Sequence, residues 1–278
     1  MSTATPDTPR RLPVIGVINP NTSLAMSEGI AASARRASRG EIVMTTSRHG
    51  AASLEGHFDE ALAVPGMLEQ LLEMARGEKR IDGYLIACFG DPGLAAAREV
   101  ADVPVMGIAE AGMQMATMIA RRFSIVTTLA RTLPIAEHLL HQYARAGHCA
   151  GLHACELPVA AFESGETAVY ERLLHACREA LSRDKSDAVL LGCAGMSELA
   201  ERLTQALGVP VIDGVVAGVS LLEAVHASGL GVSKRGDRAA PLAKPVQGAF
   251  SHLGERAVLA TAAGATRDRQ DHDKERAE

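Results

Sequence analysis

The chain contains no tryptophan, and only 3% of its 278 residues are aromatic. Proteins that bind single-stranded nucleic acid use aromatic side chains as platforms on which bases stack. The formal net charge of −5 also opposes binding to a phosphate backbone. We therefore expect no nucleic-acid partner. Because aromatics are so few, the 47% of apolar residues must form a largely aliphatic core, and that share is ordinary for a globular protein.

The chain also lacks long apolar runs and paired-cysteine motifs. No stretch approaches the length of a membrane span, and the N-terminal sequence MSTATPDTPRRLP has no apolar segment of the secretory type. The five cysteines show neither a CxxC motif nor the Cys/His spacing of zinc sites. We expect a cytoplasmic protein with free thiols, no metal and no membrane partner.

One phrase occurs twice in the chain. It reads DGYLIACFGDPG from Asp82 and DAVLLGCAGMSEL from Asp187, so that Cys88 corresponds to Cys193. Each copy is a short apolar run that ends in turn residues, which is the pattern of a buried parallel strand. Open α/β sheets bind their ligands at the ends of such strands. The chain is therefore predicted to consist of two related halves, each with one cysteine at a strand end.

A single cysteine after an apolar strand is ordinarily a small buried side chain without a chemical role. The repetition changes this interpretation, because a glycine two positions after each cysteine, Gly90 or Gly195, opens backbone space for a ligand. If the halves face each other, Cys88 and Cys193 approach that ligand from opposite sides. One thiolate then removes a proton from carbon while the opposite thiol returns one, which inverts a stereocentre.

Strands and helices alternate along the chain, which predicts an α/β protein with parallel sheets and right-handed crossovers. We expect two pseudo-symmetric, doubly wound lobes with the active site in the cleft between them. The first lobe is predicted to comprise 13–108 and 213–250, the second 109–212, and the tails 1–12 and 251–278.

Residues near the two cysteines predict where helices begin. Asp91-Pro92 is a favourable N-cap and N1 pair for a helix directly after Cys88. A second helix is expected to start near Met196, just after Cys193. Since a helix N-terminus lowers the pKa of a nearby thiol, both cysteines are expected to ionise more readily than a free cysteine.

A long polar loop, 47–60, precedes a helix that is expected over 64–76. Loops of this length are often functional in compact domains. His57, Glu55 and Asp59 in this loop are candidate acid or base groups. Closer to the N-terminus, Thr22 or Ser23 is expected to cap the first helix.

Seven phrases of the chain resemble the hydantoin racemase family, which belongs to the Asp/Glu racemase superfamily and has allantoin racemases among its close relatives. They are INPNTS, SLEGHFDEALAVPG, DGYLIACFGDPGL, SIVTT, LLGCAGM, VPVIDG and SKRGD, and the resemblance runs from about Val14 to Phe250. It implies two pseudo-symmetric α/β lobes and a reaction without a cofactor, in which Cys88 and Cys193 are the acid/base pair. We accordingly expect a small cyclic ureide as substrate and a homo-oligomeric protein.

The same resemblance implies that amides and hydroxyls near the two thiols bind the ring. The residues concerned are Asn19, Leu54, Gly90, Asp91, Thr127, Thr128, Ala194 and Gly195. Amino-acid racemases of the superfamily have Asn-Thr after the first cysteine and Thr-His after the second. Here Phe89-Gly90 and Ala194-Gly195 stand at those places, which favours a neutral, flat ring that backbone groups recognise.

The sequence thus predicts a cofactor-independent racemase of 5-substituted hydantoins or allantoin, with two-base proton transfer at the carbon alpha to the ring carbonyl. Three alternatives stay open. A substrate panel would distinguish an aspartate- or glutamate-type racemase on the same fold. A malonate-type decarboxylase of the superfamily needs only one cysteine, so the second one counts against it. A two-lobed small-molecule binding protein would bind its ligand without either thiol and show no turnover.

Overall fold

The structure, a computed structural model, describes residues 11–254. The predicted tails, 1–12 and 251–278, lie outside this range except for 11–12 and 251–254. The strands are β1 Val14–Asn19, β2 Glu41–Thr46, β3 Gly83–Ile86, β4 Val105–Gly107, β5 Phe123–Thr127, β6 Cys149–Ala154, β7 Ala188–Leu191 and β8 Val211–Ile212. The helices are α1 Leu24–Ala37, α2 His57–Arg76, α3 Leu94–Val100, α4 Ile108–Ile119, α5 Leu133–Gln142, α6 Thr167–Asp184, α7 Ala200–Leu207 and α8 Gly214–Ser228.

The strands form two parallel sheets with the orders β2-β1-β3-β4 and β6-β5-β7-β8. The two orders are the same once the halves are aligned. Strands β3 and β7 are inner strands, and every residue in them is buried, which is why they appear in the sequence as unbroken apolar runs. The prediction of an α/β protein with two pseudo-symmetric parallel lobes is confirmed.

Helices α4 and α8 connect the two halves. Helix α4 packs on β7, and α8 packs on β3 and on α4. A Cβ atom on Gly112 of α4 would lie 2.6 Å from Leu190 of β7, and one on Gly218 of α8 would lie 2.3 Å from Leu85 of β3. Glycine therefore allows each helix to approach its sheet closely, at matching places in the two halves. The division of the chain into lobes at 108 and 213 stays a prediction.

The apolar core is continuous between the halves. Its largest cluster joins Ile15 and Leu85 of the first sheet to Phe123 and Leu190 of the second, all at most 1% exposed. Two smaller clusters each lie within one half. Within the described chain, no helix is both long and apolar enough to cross a membrane.

The starts predicted for α2 and α7 are wrong. Helix α2 begins at His57, about seven residues before the predicted start, and includes Pro65. Its first turn resembles a loop in the sequence because it is polar, but acidic side chains stabilise a helix N-terminus. After Cys193, a 3₁₀ helix, Ala194–Leu199, precedes α7. By contrast, Ser23 caps α1 as predicted, and its Oγ accepts a hydrogen bond from the amide of Met26 at 3.1 Å.

The segment after α8 is held against the first lobe by Lys234, in the phrase SKRGD. Its Nζ atom donates hydrogen bonds to the carbonyls of Arg98, Glu99 and Ala101 at 3.1, 2.6 and 3.0 Å. These carbonyls lie at the C-terminal end of α3, where a helix lacks internal donors and favours a positive charge. Lys234 therefore caps the C-terminal end of α3, the helix that follows the turn after Cys88.

Candidate active site

Both repeated cysteines face one cavity between the sheets. Each stands two positions past the end of its strand, Cys88 after β3 and Cys193 after β7, and each is half-buried. The thiols interact electrostatically, since the charge of Cys193 contributes to the raised pKa of Cys88. The cavity holds about 560 Å³, including its open mouth. It is lined by Asn21, Met26, Leu54, Glu60, Ala87, Cys88, Phe89 and Gly90 from the first half, and by Thr127, Thr128, Thr132, Ile135, Ala136, Val159, Gly192, Cys193 and Ala194 from the second.

The structure brings most of the predicted site residues to this cavity. Those that line it are Leu54, Cys88, Gly90, Thr127, Thr128, Cys193 and Ala194. Gly195 lies just beyond the cavity wall, and its amide donates a hydrogen bond to the Cys193 thiol. Asn19 and Asp91 lie behind the wall. Contact of any of these residues with a substrate stays a prediction.

Asn19 acts on the cavity through Asn21, a lining residue that the sequence prediction missed. The Nδ2 atom of Asn19 donates hydrogen bonds to Asn21 Oδ1 at 2.8 Å and to Ser27 Oγ at 3.0 Å. Its Oδ1 atom accepts one from the amide of Asn21 at 3.2 Å. The fully buried Asn19 therefore orients the Asn21 amide in the cavity wall. The phrase INPNTS contained both residues, but only the folded loop distinguishes their roles.

Asp91 caps a different helix from the one predicted. Its carboxylate accepts hydrogen bonds from the amides of Ala109 and Glu110 at the start of α4, at 3.0 and 2.9 Å. The chain first makes a turn, with φ of 45° at Asp91 and 70° at Gly93, so that α3 begins only at Leu94. The carboxylate of Asp91 is therefore engaged in a structural cap, and its predicted contact with a substrate stays a prediction.

The thiol pKa values differ from the expectation. Burial raises the pKa of Cys88 far above its ordinary value and that of Cys193 to about 12. The amides of Gly90 and Gly195 donate to these thiols and act in the opposite direction, but they do not outweigh burial. The expected lowering of both pKa values is wrong, because burial is the largest effect on each thiol. Burial therefore favours the protonated form of both thiols.

The loop before α2 contributes Leu54 to the cavity wall. Glu55 Oε1 accepts a hydrogen bond from the amide of Val159, in the other half, at 2.9 Å. Asp59 Oδ2 accepts one from the amide of Glu55 at 3.0 Å. Two of the three predicted acid or base candidates thus hold Leu54 over the cavity. The third, His57, is largely exposed.

Glu60 is the ionisable lining residue that the sequence prediction missed. Burial, assisted by the charge of Asp59, raises its pKa to about 7. In the sequence it is the last residue of the polar loop, next to three other candidates, and nothing there distinguishes it. A prediction that α2 begins at His57 would have singled out Glu60, because the first turn of this helix directs its side chain towards the cavity.

The hydroxyls of the second half differ in what they bind. Thr127 Oγ1 donates a hydrogen bond to the carbonyl of Gly192 at 3.0 Å. Within residues 11–254, the Thr128 hydroxyl forms no hydrogen bond to another protein group, so it is available to a ligand. In the same part of the chain, no cluster of three or more His, Cys, Asp or Glu side chains is placed to hold a metal ion.

Two parallel-sheet lobes that meet at a cavity with one thiol from each define a racemase-type α/β enzyme. The sequence profile of the family described as Asp/Glu/Hydantoin racemase matches residues 15–222. The chain belongs to this family. The resemblance predicted from its phrases is thereby confirmed.

Relatives of known activity are similar over nearly their whole length. The chain is 43% identical over 243 residues to the hydantoin racemase of Pseudomonas sp. (strain NS671), which covers 86% of this chain and 96% of that protein. The solved allantoin racemase from Klebsiella pneumoniae is 54% identical, with a TM-score of 0.83 and coverage of 87% and 98%. Allantoin racemase from Pseudomonas fluorescens is 34% identical, with a TM-score of 0.80 and coverage of 84% and 100%. The protein is therefore an isomerase, a racemase.

Proposed function

We propose that the protein racemises 5-substituted hydantoins or allantoin without a cofactor, and that Cys88 and Cys193 are its two bases. The observation that carries this proposal is the pair of thiols, which reach one cavity from equivalent strand ends of the two halves. The names of the relatives support the substrate class, since they are hydantoin and allantoin racemases.

The other lining groups suit a neutral ring. Among the described residues that line the cavity there is no lysine, arginine or histidine to pair with the carboxylate of an amino acid. Thr128 offers a hydroxyl, and Met26, Ile135 and Val159 offer apolar surface. A cyclic ureide has carbonyl and N–H groups along its edge and two apolar faces, so it matches this combination.

In the proposed reaction the ring lies between the two thiols. The thiolate of one cysteine removes the proton from the carbon between the carbonyl and the ring nitrogen. The electron pair of that C–H bond moves to the carbonyl oxygen and forms an enolate. The thiol of the other cysteine then gives its proton to the opposite face, and the roles are exchanged for the other enantiomer. Each well-placed donor to the enolate oxygen contributes about 3 kcal/mol.

The experiment that tests this function is a substrate panel followed by polarimetry. Each enantiomer of a 5-substituted hydantoin and of allantoin should lose its optical rotation, while aspartate and glutamate should not. Activity should survive exhaustive chelation. Turnover of an amino acid and of neither ureide would contradict the substrate class, and recovery of chelated enzyme by zinc would contradict the cofactor-free reaction.

Three further expectations belong to the same proposal. We propose that 13–108 and 213–250 form one lobe and that 109–212 form the other. We also propose a cytoplasmic location and a homo-oligomer. Light scattering of the purified protein at several concentrations measures the oligomer directly, and a monomer at all of them would contradict it.

A further inference from the structure

Glu60 extends from the first turn of α2 into the cavity, on the side of Cys88. A Cβ atom on Gly90 would lie 1.7 Å from Glu60 Oε1, so the carboxyl group rests on the bare α-carbon of this glycine. Gly90, Phe89 and Cys88 form the wall at this point. The carboxyl group is thus held next to the thiol, and only glycine at position 90 leaves room for it.

The protein engages this carboxyl group only weakly. In the described part of the chain, no hydrogen-bond donor to it is recorded. Its ion-pair partner there is the exposed imidazole of His57, with 3.7 Å between Nδ1 and Oε2. The Glu60 side chain is 19% exposed, and it lines the cavity. Its hydrogen-bonding capacity is therefore directed at whatever the cavity binds.

The proposed reaction places negative charge beside Glu60 twice. The first charge is the thiolate of Cys88, and the second is the enolate oxygen. An ionised carboxylate would oppose both, because like charges in a poorly solvated site disfavour each other. After burial, repulsion by Glu60 already contributes to the raised pKa of Cys88. A neutral carboxyl group avoids this repulsion and has an O–H donor.

We propose that Glu60 works as a neutral carboxylic acid and donates its O–H hydrogen bond to a ring carbonyl oxygen of the substrate. This inference rests on the proposed racemisation of cyclic ureides, which present such oxygens. The proton stays on Glu60 throughout, and its hydrogen bond strengthens as negative charge develops on the carbonyl oxygen. Ionisation of Glu60 removes the donor and adds a repelling charge next to Cys88.

The surroundings of Glu60 favour its neutral form more than water does. Burial, together with a smaller contribution from the charge of Asp59 on the same helix, raises its pKa to about 7. Cys88, which faces it from the end of β3, raises the pKa further when it becomes a thiolate. His57 acts in the opposite direction when protonated, but its side chain is 77% exposed and its charge is screened by solvent.

The first test measures the thiol alone. Iodoacetamide is reacted with the protein from about pH 6 to about pH 9, and modification of Cys88 is followed by mass spectrometry of its peptide. Glu60→Gln replaces the carboxyl group with a neutral amide of the same shape. We expect Cys88 to react about tenfold faster in this variant at about pH 8, because a like charge has been removed. Glu179→Gln, on the exposed surface of α6, is the matched control and should react like wild type.

The second test separates the donor from the charge. Glu60→Gln keeps an N–H donor, so its kcat for the ureide should stay within about tenfold of wild type at about pH 6. Its rate should also continue to rise with pH where the wild-type rate falls. Glu60→Leu lacks a donor and should lose about 10²-fold to 10³-fold in kcat at about pH 6. This deficit relative to wild type should shrink at higher pH, because ionised Glu60 is no longer a donor either.

Two results would overturn the proposal. Unchanged or slower alkylation of Cys88 in Glu60→Gln would show that this thiol does not sense the carboxyl group. A Glu60→Gln variant that melts like wild type yet is inactive at every pH would show that the ionised carboxylate is required. This second result needs no Leu variant, so failure of Glu60→Leu to fold leaves the test intact. Alkylation needs no substrate, so it can overturn the coupling of Glu60 to Cys88 even if the ureide assay fails.

Discussion

The hydroxyl of Tyr143 donates a hydrogen bond to Asp91, with 2.7 Å between Oη and Oδ2. Asp91 belongs to the turn after Cys88 in the first half, whereas Tyr143 directly follows α5 in the second half. Since the same carboxylate also caps α4, three donors fix this turn. The turn that positions the Cys88 thiol is therefore held in part by a residue of the opposite half.

We expect Tyr143→Phe to lower the free energy of unfolding by about 1.5–3 kcal/mol, because a hydrogen bond to a buried carboxyl group is lost. Urea unfolding measures this change. Tyr170→Phe is the control, since the Tyr170 ring lies under Arg202 and keeps that contact without its hydroxyl. Equal losses in the free energy of unfolding of the two variants would show that the hydrogen bond from Tyr143 to Asp91 makes no particular contribution to stability.

Replacement of either thiol by a hydroxyl should stop inversion but not all proton exchange. In Cys88→Ser and in Cys193→Ser we expect racemisation to fall by about 10³-fold, because serine is too weak a base. In deuterated water each variant should still exchange the enantiomer whose hydrogen faces its remaining thiol. Nuclear magnetic resonance of each pure enantiomer measures this exchange.

The two variants should prefer opposite enantiomers, and a shared preference would mean that a single base does the work. The control is Cys177→Ala, because Cys177 is fully buried among the apolar residues of α6 and lies away from the cavity. It should keep the wild-type rate of racemisation.

A methyl group on Gly90 should displace Glu60. We expect Gly90→Ala to lower kcat/KM by about 10-fold to 100-fold, since misplacement of a site group by about 1 Å has effects of this size. Gly147→Ala is the control, because a Cβ atom there meets nothing within 4 Å. In a Glu60→Ala background, Gly90→Ala should have little further effect. Independent, additive losses would contradict the contact between the two residues.

Loss of the Lys234 ammonium should destabilise the protein and leave catalysis unchanged. Lys234→Met keeps the aliphatic chain but removes the three hydrogen bonds to the end of α3. We expect the free energy of unfolding to fall by about 1–3 kcal/mol, with kcat within about twofold of wild type. The exposed Lys244 provides the matched control, Lys244→Met. A kcat loss without a stability loss would place Lys234 in the site instead.

Acid should remove the contribution of Asp184 to stability. Burial alone would raise its pKa, but hydrogen bonds from Ser124 and His153, both at 2.6 Å, outweigh burial and hold the pKa below its ordinary value. A carboxylate with a lowered folded-state pKa stabilises the fold above its unfolded pKa, and this contribution is lost as pH falls through the folded value.

We therefore expect Asp184→Asn to cost about 1–3 kcal/mol in urea unfolding at neutral pH. The difference in free energy of unfolding between wild type and this variant should become smaller below about pH 4. A constant difference at all pH values would assign the effect of Asp184 to shape instead of charge.

The sequence by itself determined the strands, the repeat and the cysteine pair. Inner parallel strands such as β3 and β7 are buried on both faces, so they must be apolar runs, and turn residues mark their ends. Cys88 and Cys193 follow those ends at the same distance. Open α/β sheets bind ligands at the carboxyl ends of their strands, so a ligand site at each cysteine was predictable. The Ser23 cap was equally local, since it depends on residues within one turn.

Only the tertiary structure decided which helix Asp91 caps, where Glu60 lies and how easily the thiols ionise. Asp91 sits close to α3 in the sequence, but its partners at Ala109, Glu110 and Tyr143 are brought to it by folding. Glu60 reaches Cys88 because α2 starts early and Gly90 leaves space for its carboxyl group. The pKa of each thiol depends on how much water the surrounding chain excludes. Desolvation arises from residues distant in sequence. The local pattern of a helix start therefore predicted the direction of the thiol pKa shifts incorrectly.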